Sequence, residues 1–398
     1  MKKFLFIVCC IFIYITGLAW AADIPKILEQ ADQLVTLKQY DSAFSLLSET
    51  DKNGDNPEIV LKQVDIALNY FAVSTMHQMF GFKDLQPGET IENIRGKSGV
   101  YTYYKFEIDK ILDKLIAKYP ENWQLYQALG EFYYEVSVKY GNNWLKKEQE
   151  LMDLAESNCL KAEQNGVFDA KSLYMIGEAE LQKKNYQQAV SYYLRSLELD
   201  SKIANTNYNL AYAYLYLGKF DEGLKYAEIS LSLYGDQVFK ADAARLMAIF
   251  YRNKNDDFNA IKYYKVSEEI NPNNYYNLTA LLELYIKTNE LGAAADTADA
   301  LFALEPTEAQ LTQDVVRSYY NNKQNDELFK FFDRMEKKYA KQDQVMGNLL
   351  FYKAYVYKFI NDFKQAKACF TSARKYFAKS LEKDNDVFGL IERELEEL

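Results

Sequence analysis

The segment Ala204–Leu233, ANTNYNLAYAYLYLGKFDEGLKYAEISLSL, decides the fold of this chain because its pattern predicts two helices joined by a turn at Leu217-Gly218-Lys219. The first half has apolar residues at helical spacing, and the second half repeats the small residues Gly223, Ala227 and Ser230 at the same spacing. Small residues on one helix allow a neighbouring helix to approach closely. A single hairpin of this kind cannot bury its apolar face, so the pattern predicts neighbouring copies.

Copies of this hairpin recur along the chain at a nearly constant interval. Pro272 and Pro306 each follow twelve residues after the small residue of a second helix, where that helix must end. Tyrosines of the first helices keep the same period. The position of the small residue returns every 34 to 38 residues, at Ala155, Ala189, Gly223, Ala260, Ala294, Leu328 and Ala366, with leucine replacing the small residue at 328. Several markers with one period indicate a helical solenoid.

The repeats resemble the tetratricopeptide repeat family. Its pattern is a bulky residue, Leu-Gly and Tyr on the first helix, followed by Ala and an aromatic residue on the second helix. In this chain Leu129, Gly130 and Tyr133 match the first part, and Ala260 with Tyr264 matches the second. The resemblance implies an all-α fold, a right-handed superhelical solenoid of antiparallel helix pairs with a concave groove.

The repeat frame predicts the organisation of the chain. Two inserted loops, at about 74–103 and 138–145, both fall between the first and second helices of their repeats, so we expect them side by side on one edge of the array. Loops inserted into repeats often mark a binding face. The predicted segments are a signal peptide at 1–21, an N-terminal repeat at 22–56, two repeats with the inserted loops at 57–169, four regular repeats at 170–308, two diverged repeats at 309–378 and a C-terminal capping helix at 379–398.

The first residues have the pattern of an export signal. Lys2 and Lys3 precede an apolar run from Phe4 to Trp20, and Ala19 and Ala21 have the small-x-small spacing of a cleavage site. We therefore expect a secretory signal peptide cleaved after Ala21, with export to the periplasm of a Gram-negative-type bacterium. The alternative is an uncleaved segment that anchors the protein in the membrane. After cleavage no further membrane span is expected.

Composition limits the classes of function. With 49% hydrophobic and 26% charged residues, the chain of 398 residues has enough apolar material for a core. A formal net charge of −10 disfavours nucleic acid as a partner. Cys159 and Cys369 fall in inward-facing repeat positions several repeats apart, which favours two buried free thiols over a disulfide.

Motifs for catalysis or metal binding are weak. His77 is the only histidine, so no histidine cluster is expected, although Met76-His77 followed by Met79 could offer soft ligands to copper. Gly96-Lys97-Ser98 lacks the glycine five residues before the Gly-Lys pair that a phosphate-binding loop needs. We predict no enzyme activity, no cofactor and no metal site.

Two surfaces are candidates for partner binding. A groove lined by tyrosines suits an extended peptide or a helix, or a glycan through ring stacking. Family members that bind carboxylate-ended tails present Lys and Asn where this chain has Tyr208 and Tyr212, so that activity is not implied. The groove candidates are Tyr174, Tyr208, Tyr212, Arg245 and Glu283, and the candidates on the surface of the inserted loops are Met76, His77, Phe80, Phe82 and Trp144.

The leading hypothesis is a non-enzymatic protein–protein interaction scaffold of the bacterial cell envelope. It would bind an extended peptide or helix in the concave groove or at the inserted loops. One alternative is a component that binds polysaccharide or assembles its export machinery, and a second is an enzyme with its site in the 74–103 insertion. For the insertion itself, a purely structural role for Met76, Phe80 and Phe82 also stays open. The partner and the oligomeric state are not predicted.

Overall fold

The computed structural model describes residues 24–398, so the predicted signal peptide at residues 1–21 lies outside the described part of the chain. The chain divides into two compact units, with the boundary between Ser201 and Lys202. No helix within residues 24–398 is both long enough and apolar enough to cross a bilayer.

Within residues 24–201 the first unit contains nine α-helices and a small sheet. Its helices are α1 (Ile24–Thr36), α2 (Tyr40–Thr50), α3 (Pro57–Asn69), α4 (Ile91–Ile94), α5 (Ile108–Lys118), α6 (Trp123–Tyr140), α7 (Glu148–Glu163), α8 (Ala170–Gln182) and α9 (Tyr186–Leu199). Its strands are β1 (Val73–Ser74), β2 (Met79–Phe82) and β3 (Thr102–Lys105).

The second unit contains eleven helices and, within residues 202–398, no strand. They are α10 (Ala204–Tyr216), α11 (Phe220–Leu233), α12 (Gln237–Asn253), α13 (Asp257–Ile270), α14 (Tyr275–Lys287), α15 (Leu291–Ala303), α16 (Ala309–Asn321), α17 (Asn325–Lys338), α18 (Asp343–Phe359), α19 (Phe363–Ser380) and α20 (Asp386–Glu397). Consecutive helices pack as hairpins, and the first helices of neighbouring hairpins also contact each other. The predicted all-α solenoid of helix pairs is therefore confirmed, apart from the sheet in the first unit.

A residue in the left-handed conformation ends the first helix of six successive hairpins. After each one, the next backbone N–H donates to the carbonyl five residues earlier, as from Asn185 to Glu180 and from Lys219 to Tyr214. This cap satisfies helix-end carbonyls and reverses the chain into the second helix. The left-handed residues keep the period of the sequence repeat, at Lys184, Gly218, Asn255, Asn289, Lys323 and Asn361, with φ between 58° and 70°.

Glycines in the helices allow a neighbouring aromatic side chain to lie against the helix backbone. The aromatic residues concerned are themselves almost fully buried, so their rings have little freedom to move away. An added Cβ would lie 2.7 Å from the ring of Tyr193 at Gly177, 2.3 Å from that of Phe250 at Gly223, and 2.5 Å from that of Phe377 at Gly347.

Buried serines join the second helix of a hairpin to the first. The Ser196 hydroxyl donates to the carbonyl of Ala170 at 2.7 Å, and the Ser267 hydroxyl donates to that of Ala241 at 2.8 Å. Each bond links the last turn of a second helix to the N-terminal part of its first helix. It therefore satisfies a buried hydroxyl and helps to set the register of the hairpin.

The 74–103 insertion folds as a sheet and not as the predicted loop. β2 pairs antiparallel with β1 on one side and with β3 on the other. Alternation along β2 places Phe80 and Phe82 on the same face. That face packs against α2, where Phe82 stacks on Phe44 with ring centroids 4.7 Å apart. The backbone of the insertion is ordered because its aromatic residues extend the repeat core.

Both cysteines of the described chain are free thiols. Cys159 is fully buried, as predicted, whereas Cys369 is half-buried because its neighbour Phe370 occupies the inward position of α19. Successive helix positions are rotated by about 100°, so only one of the two can face the core. Burial raises the pKa of both thiols, and we expect neither to be a reactive thiolate at neutral pH.

Replacing Gly223 by alanine is expected to destabilise the second unit. Alanine gains about 1 kcal/mol of helix propensity over glycine, but its Cβ would lie 2.3 Å from the buried ring of Phe250. Overpacking of a core typically costs about 1–3 kcal/mol. Because the ring is fully buried and the approach is so short, we expect this cost to exceed the gain in helix propensity. We expect the Tm of Gly223→Ala to fall by several degrees in a thermal melt followed by circular dichroism.

The control is Gly292→Ala, because no atom lies within 4 Å of a Cβ built at this exposed helical position. Its Tm should stay equal to that of the wild type or rise slightly. A double variant, Gly223→Ala with Phe250→Leu, should recover part of the loss. An unchanged Tm for Gly223→Ala would show that the close approach of helices at this position is not a constraint.

Candidate partner-binding site

The groove candidates of the second unit lie on three successive first helices. We call this surface the tyrosine–arginine strip. Tyr216 and Tyr276 are its most exposed members, at 53% and 67%. The strip consists of Tyr208, Tyr212 and Tyr216 on α10, Arg245 on α12, and Tyr276 and Glu283 on α14.

Tyrosines of the strip are held in place by contacts with other aromatic side chains. The Tyr212 and Tyr216 rings lie 5.0 Å apart, and their hydroxyls are hydrogen-bonded at 3.0 Å. Tyr208 makes an edge-to-face contact with Tyr234 at 6.3 Å, and the Tyr234 hydroxyl donates to Asn205. These contacts restrict the ring rotamers before any partner arrives, which lowers the entropy cost of binding.

Both charged side chains of the strip are paired with neighbouring residues. The Arg245 guanidinium donates to Asp242 at 2.7 Å and lies 5.8 Å from the centroid of the Tyr276 ring. Arg252 donates to Glu283 at 2.7 Å. Burial, followed by the charge of Asp242, raises the pKa of the Tyr208 hydroxyl, so this tyrosine stays neutral and remains a hydrogen-bond donor at physiological pH.

The remaining groove candidate, Tyr174, belongs to α8 of the first unit. Its ring contacts Tyr134 edge to face at 6.3 Å and lies 6.0 Å from Tyr193. The Tyr134 hydroxyl donates to Glu178 at 2.6 Å on the same helix as Tyr174. Burial raises the pKa of Tyr134. Tyr174 is therefore part of an aromatic cluster within the first unit.

Only some of the predicted insertion residues are on the surface. Met76 and His77 are exposed at the turn between β1 and β2. Phe80 and Phe82 are buried, so the prediction that they form the insertion surface is wrong. Their side chains alternate onto the face of β2 that covers the repeat core. Trp144 is half-buried against the aromatic ring of Tyr140, at 5.0 Å.

Carboxylates fasten the insertion to the repeat beneath it. Helix α2 has no side-chain cap from its own N-terminal residue, and Asp84 of the insertion supplies one by accepting from the backbone N–H of Ser42 at 3.1 Å and from its hydroxyl. Asp41 of α2 accepts from the hydroxyls of Thr102 and Tyr104 on β3. Burial and the Asp41 charge raise the pKa of Tyr104 to about 12.

A second anchor lies at the turn between β1 and β2. Gln78 is buried, and its amide donates to Asp109 at 2.7 Å. Its side-chain oxygen accepts from the backbone N–H of Ile108, the first residue of α5, at 2.6 Å. The insertion therefore caps the N-termini of α2 and α5, the second helices of the first two hairpins.

The two insertions of the first unit lie next to each other. The Lys139 ammonium donates to the Ser74 hydroxyl, which is also 3.4 Å from the hydroxyl of Tyr140. Ser74 belongs to β1, whereas Lys139 and Tyr140 end α6 at the start of the second insertion. Between them is a small recess, which we call the Lys139 recess, lined by Leu68, Phe71, Ser74, Thr75, Phe80, Phe132, Glu135, Val136, Lys139, Tyr140 and Trp144.

Several residues of these surfaces were not among the sequence candidates. Tyr216 could have been found, because it follows Tyr212 by one helical turn. Lys139 could not, because its position beside Ser74 depends on the pairing of β1 with β2. Within residues 24–398, no three or more His, Cys, Asp or Glu side chains are grouped so that they could hold a metal ion.

Two hairpins next to the unit boundary match a known family. The sequence model of the tetratricopeptide repeat matches residues 170–203 and 204–237, which are the hairpins α8–α9 and α10–α11. The chain therefore contains tetratricopeptide repeats (TPRs). Stacked repeats of this family form extended surfaces that bind partners, which supports a role in protein–protein interaction. No curated protein sequence matches the chain significantly.

Solved structures of TPR proteins are similar to parts of this chain. One is a TPR protein from Parabacteroides merdae, with 15% identity over 68% of this chain and 97% of that protein and a TM-score of 0.42. PilF of Pseudomonas aeruginosa has 14% identity over 55% of this chain and 96% of its own, with a TM-score of 0.41. YrrB, described as a TPR protein with an unusual peptide-binding site, has 16% identity over 47% and 95%, with a TM-score of 0.37. With identities and scores this low, the roles of these proteins do not transfer to this one.

Removing the Asp84 carboxylate is expected to loosen the insertion without unfolding the repeats. Asp84→Ala leaves Ser42 and the N-terminus of α2 without their cap, and losses of this kind cost about 1 kcal/mol. Hydrogen–deuterium exchange measured by mass spectrometry should become faster within residues 72–105. Exchange in the hairpins of the second unit should stay as in the wild type.

The matched control is Asp55→Ala, which removes an exposed carboxylate that pairs with Lys114. Exposed pairs contribute little to stability, so exchange in residues 72–105 should not change. If Asp84→Ala also exchanged like the wild type, the sheet would be held by its aromatic face alone.

Proposed function

We propose that this TPR protein is a non-enzymatic scaffold that is exported to the periplasm and binds a partner peptide or helix along the tyrosine–arginine strip. The observation that supports this most is the continuity of the strip. Partly exposed tyrosines and arginines follow one another on α10, α12 and α14, above the core formed by the same helices.

The side chains of the strip suit a peptide partner. Tyrosine and arginine are enriched among residues that dominate binding energy at protein interfaces. Tyr216 and Tyr276 offer ring faces, while the paired groups Arg252 and Glu283 can exchange their mutual bond for bonds to a partner. Because an exposed ion pair contributes less than about 1 kcal/mol, this exchange costs the scaffold little stability.

Arg245 has hydrogen-bonding capacity that the scaffold does not use. Its terminal nitrogen donates to Asp242, but its Nε–H is shielded from solvent and has no acceptor within the described residues. A buried donor without an acceptor is unfavourable. The Arg245 side chain as a whole is 28% exposed, so its guanidinium can also donate to a partner carbonyl or carboxylate. Arg245 is therefore the side chain from which we expect the largest loss of affinity when it is changed.

Photo-crosslinking in the native cell tests the position of the partner. A benzophenone amino acid placed at Tyr216 or Tyr276 should yield one discrete crosslinked protein. The control is the same amino acid at Phe258, which is 79% exposed on the second helix α13. A crosslinked band of equal intensity at Phe258 would contradict binding on the strip.

The variant Arg245→Met tests how much the Arg245 guanidinium contributes to partner binding. We expect the crosslink at Tyr276 to fall about tenfold, which corresponds to about 1.4 kcal/mol, while the Tm stays close to that of the wild type. Arg195→Met, on the second helix α9 of the first unit, is the control for loss of an arginine. If the Arg245→Met protein still bound polysaccharide but no longer gave the protein crosslink, the result would favour the glycan-binding alternative.

The proposed export predicts the mass of the mature chain. Expressed in a Gram-negative host with its first residues intact, the protein should be released with the periplasmic fraction and begin at Ala22 in an intact-mass measurement. Alanine-to-arginine substitution at Ala19 and Ala21 should block this processing, because the cleavage site needs small residues. An unprocessed wild-type chain in the membrane fraction would establish the anchored alternative.

A further inference from the structure

The Lys139 recess combines a cation with an apolar floor. The Lys139 ammonium, the Ser74 hydroxyl and the Tyr140 hydroxyl form one side of it. Trp144 contacts Tyr140 edge to face and also lines the recess. The floor consists of the apolar side chains of Leu68, Phe80, Phe132 and Val136.

The recess is lined by one cationic and one acidic side chain, Lys139 and Glu135. Lys139 makes no ion pair with a carboxylate within residues 24–398. Glu135 is the acidic side chain that lines the recess, and it is paired with Lys171 at 3.1 Å. Lys171 also lies 3.5 Å from Glu131, so it is paired with both carboxylates.

A second cation lies on the same aromatic ring as Lys139. The Lys139 ammonium is 4.3 Å from the centroid of the Phe71 ring, and the Arg95 guanidinium is 4.5 Å from it. Arg95 donates to the carbonyls of Asn69 and Phe71 at the end of α3, and the nearby Glu92 carboxylate interacts with its charge without forming an ion pair. Two like charges therefore share one ring in a protein whose net charge is −10. A lysine without an ion-pair partner can attract an anionic group.

The size of the recess restricts what that anion can be. Its volume is about 40 Å³, which holds a group the size of a carboxylate with a few atoms beside it. The carboxyl-terminal residue of a peptide has its carboxylate and its side chain on the same Cα, so one residue can meet both the cation and the apolar floor.

We infer that the Lys139 recess binds the free carboxyl terminus of a peptide whose last residue is small and apolar. The terminal carboxylate accepts from the Lys139 ammonium and from the hydroxyls of Ser74 and Tyr140. The apolar side chain lies against Val136 and Phe132 on the floor. This site belongs to the first unit and is independent of the tyrosine–arginine strip, so either can fail without the other.

The test uses two synthetic peptides that differ at one group. Both have the sequence Gly-Ser-Gly-Ser-Ala-Val with fluorescein at the amino end; one has a free carboxyl terminus and the other has a terminal amide. Fluorescence anisotropy with the mature wild-type protein should give at least about tenfold tighter binding of the free acid. Equal affinities for acid and amide, or no binding of the acid below about 10 mM, would overturn the inference.

Variants locate the binding in the recess. Lys139→Met should weaken binding of the free acid about tenfold, and Lys139→Arg should restore most of it because the charge is retained. Lys337→Met, an exposed lysine on α17, is the control and should bind like the wild type. Trp144→Ala should also weaken binding, through lost contact at the rim. The assignment would be refuted if Lys139→Met bound the free acid as tightly as the wild type does. It would also be refuted if the ratio of the affinities for acid and amide were the same in Lys139→Met as in the wild type.

Competition separates a peptide terminus from other anions. Acetate and glucuronate present the same carboxylate without the adjoining chain, so each should compete much more weakly than the unlabelled peptide. Competition by glucuronate at the same concentration as the peptide would show a general carboxylate site and would contradict the peptide-specific inference. Tyr216→Ala in the strip should leave the anisotropy signal unchanged.

Discussion

The close approach of helices at residues without a bulky side chain is the constraint on which this solenoid depends. At Gly177, Gly223 and Gly347 an aromatic ring occupies the space that a Cβ would need. At Gly130 the neighbour is Cys159, whose Sγ would lie 2.6 Å from such a Cβ. Because the partner side chains are buried and tightly packed, the separation of the helices is set by these contacts. Hairpins with a uniform separation can stack, and each buries the apolar face that the next exposes.

The irregular part of the first unit follows the same physical rules with different residues. Regular hairpins place a left-handed residue between their helices and satisfy the helix end with backbone hydrogen bonds, as at Gly218 and Asn255. The first insertion replaces this short turn with a sheet, and its side chains then take over the capping. Asp84 caps α2 and Gln78 caps α5. An insertion that supplies caps and aromatic core residues stabilises the repeats that it interrupts.

Two surfaces with different chemistry result from this arrangement. The tyrosine–arginine strip is broad, with its charges paired as Arg252–Glu283 and Arg245–Asp242. Shape and ring stacking would govern recognition there. The Lys139 recess is small and contains a lysine that forms no ion pair within the described residues, so the end of a chain suits it better than its middle. A scaffold with both kinds of surface could hold one partner by an internal segment and another by its terminus.

The sequence by itself determined the repeat, because its markers are local. The period of the small residues, the prolines after the second helices and the helical spacing all depend on contacts within one hairpin or between neighbours. It also indicated both insertions and the tyrosines that recur on the first helices. Only the tertiary structure decided that Phe80 and Phe82 are core residues, because strand alternation had no visible counterpart in a segment that looked like a loop. The meeting of Ser74 with Lys139, 65 residues apart, likewise depends on strand pairing and on the stacking of hairpins. Contacts of that sequence separation leave no periodic trace, so the recess they form could be recognised only in the folded chain.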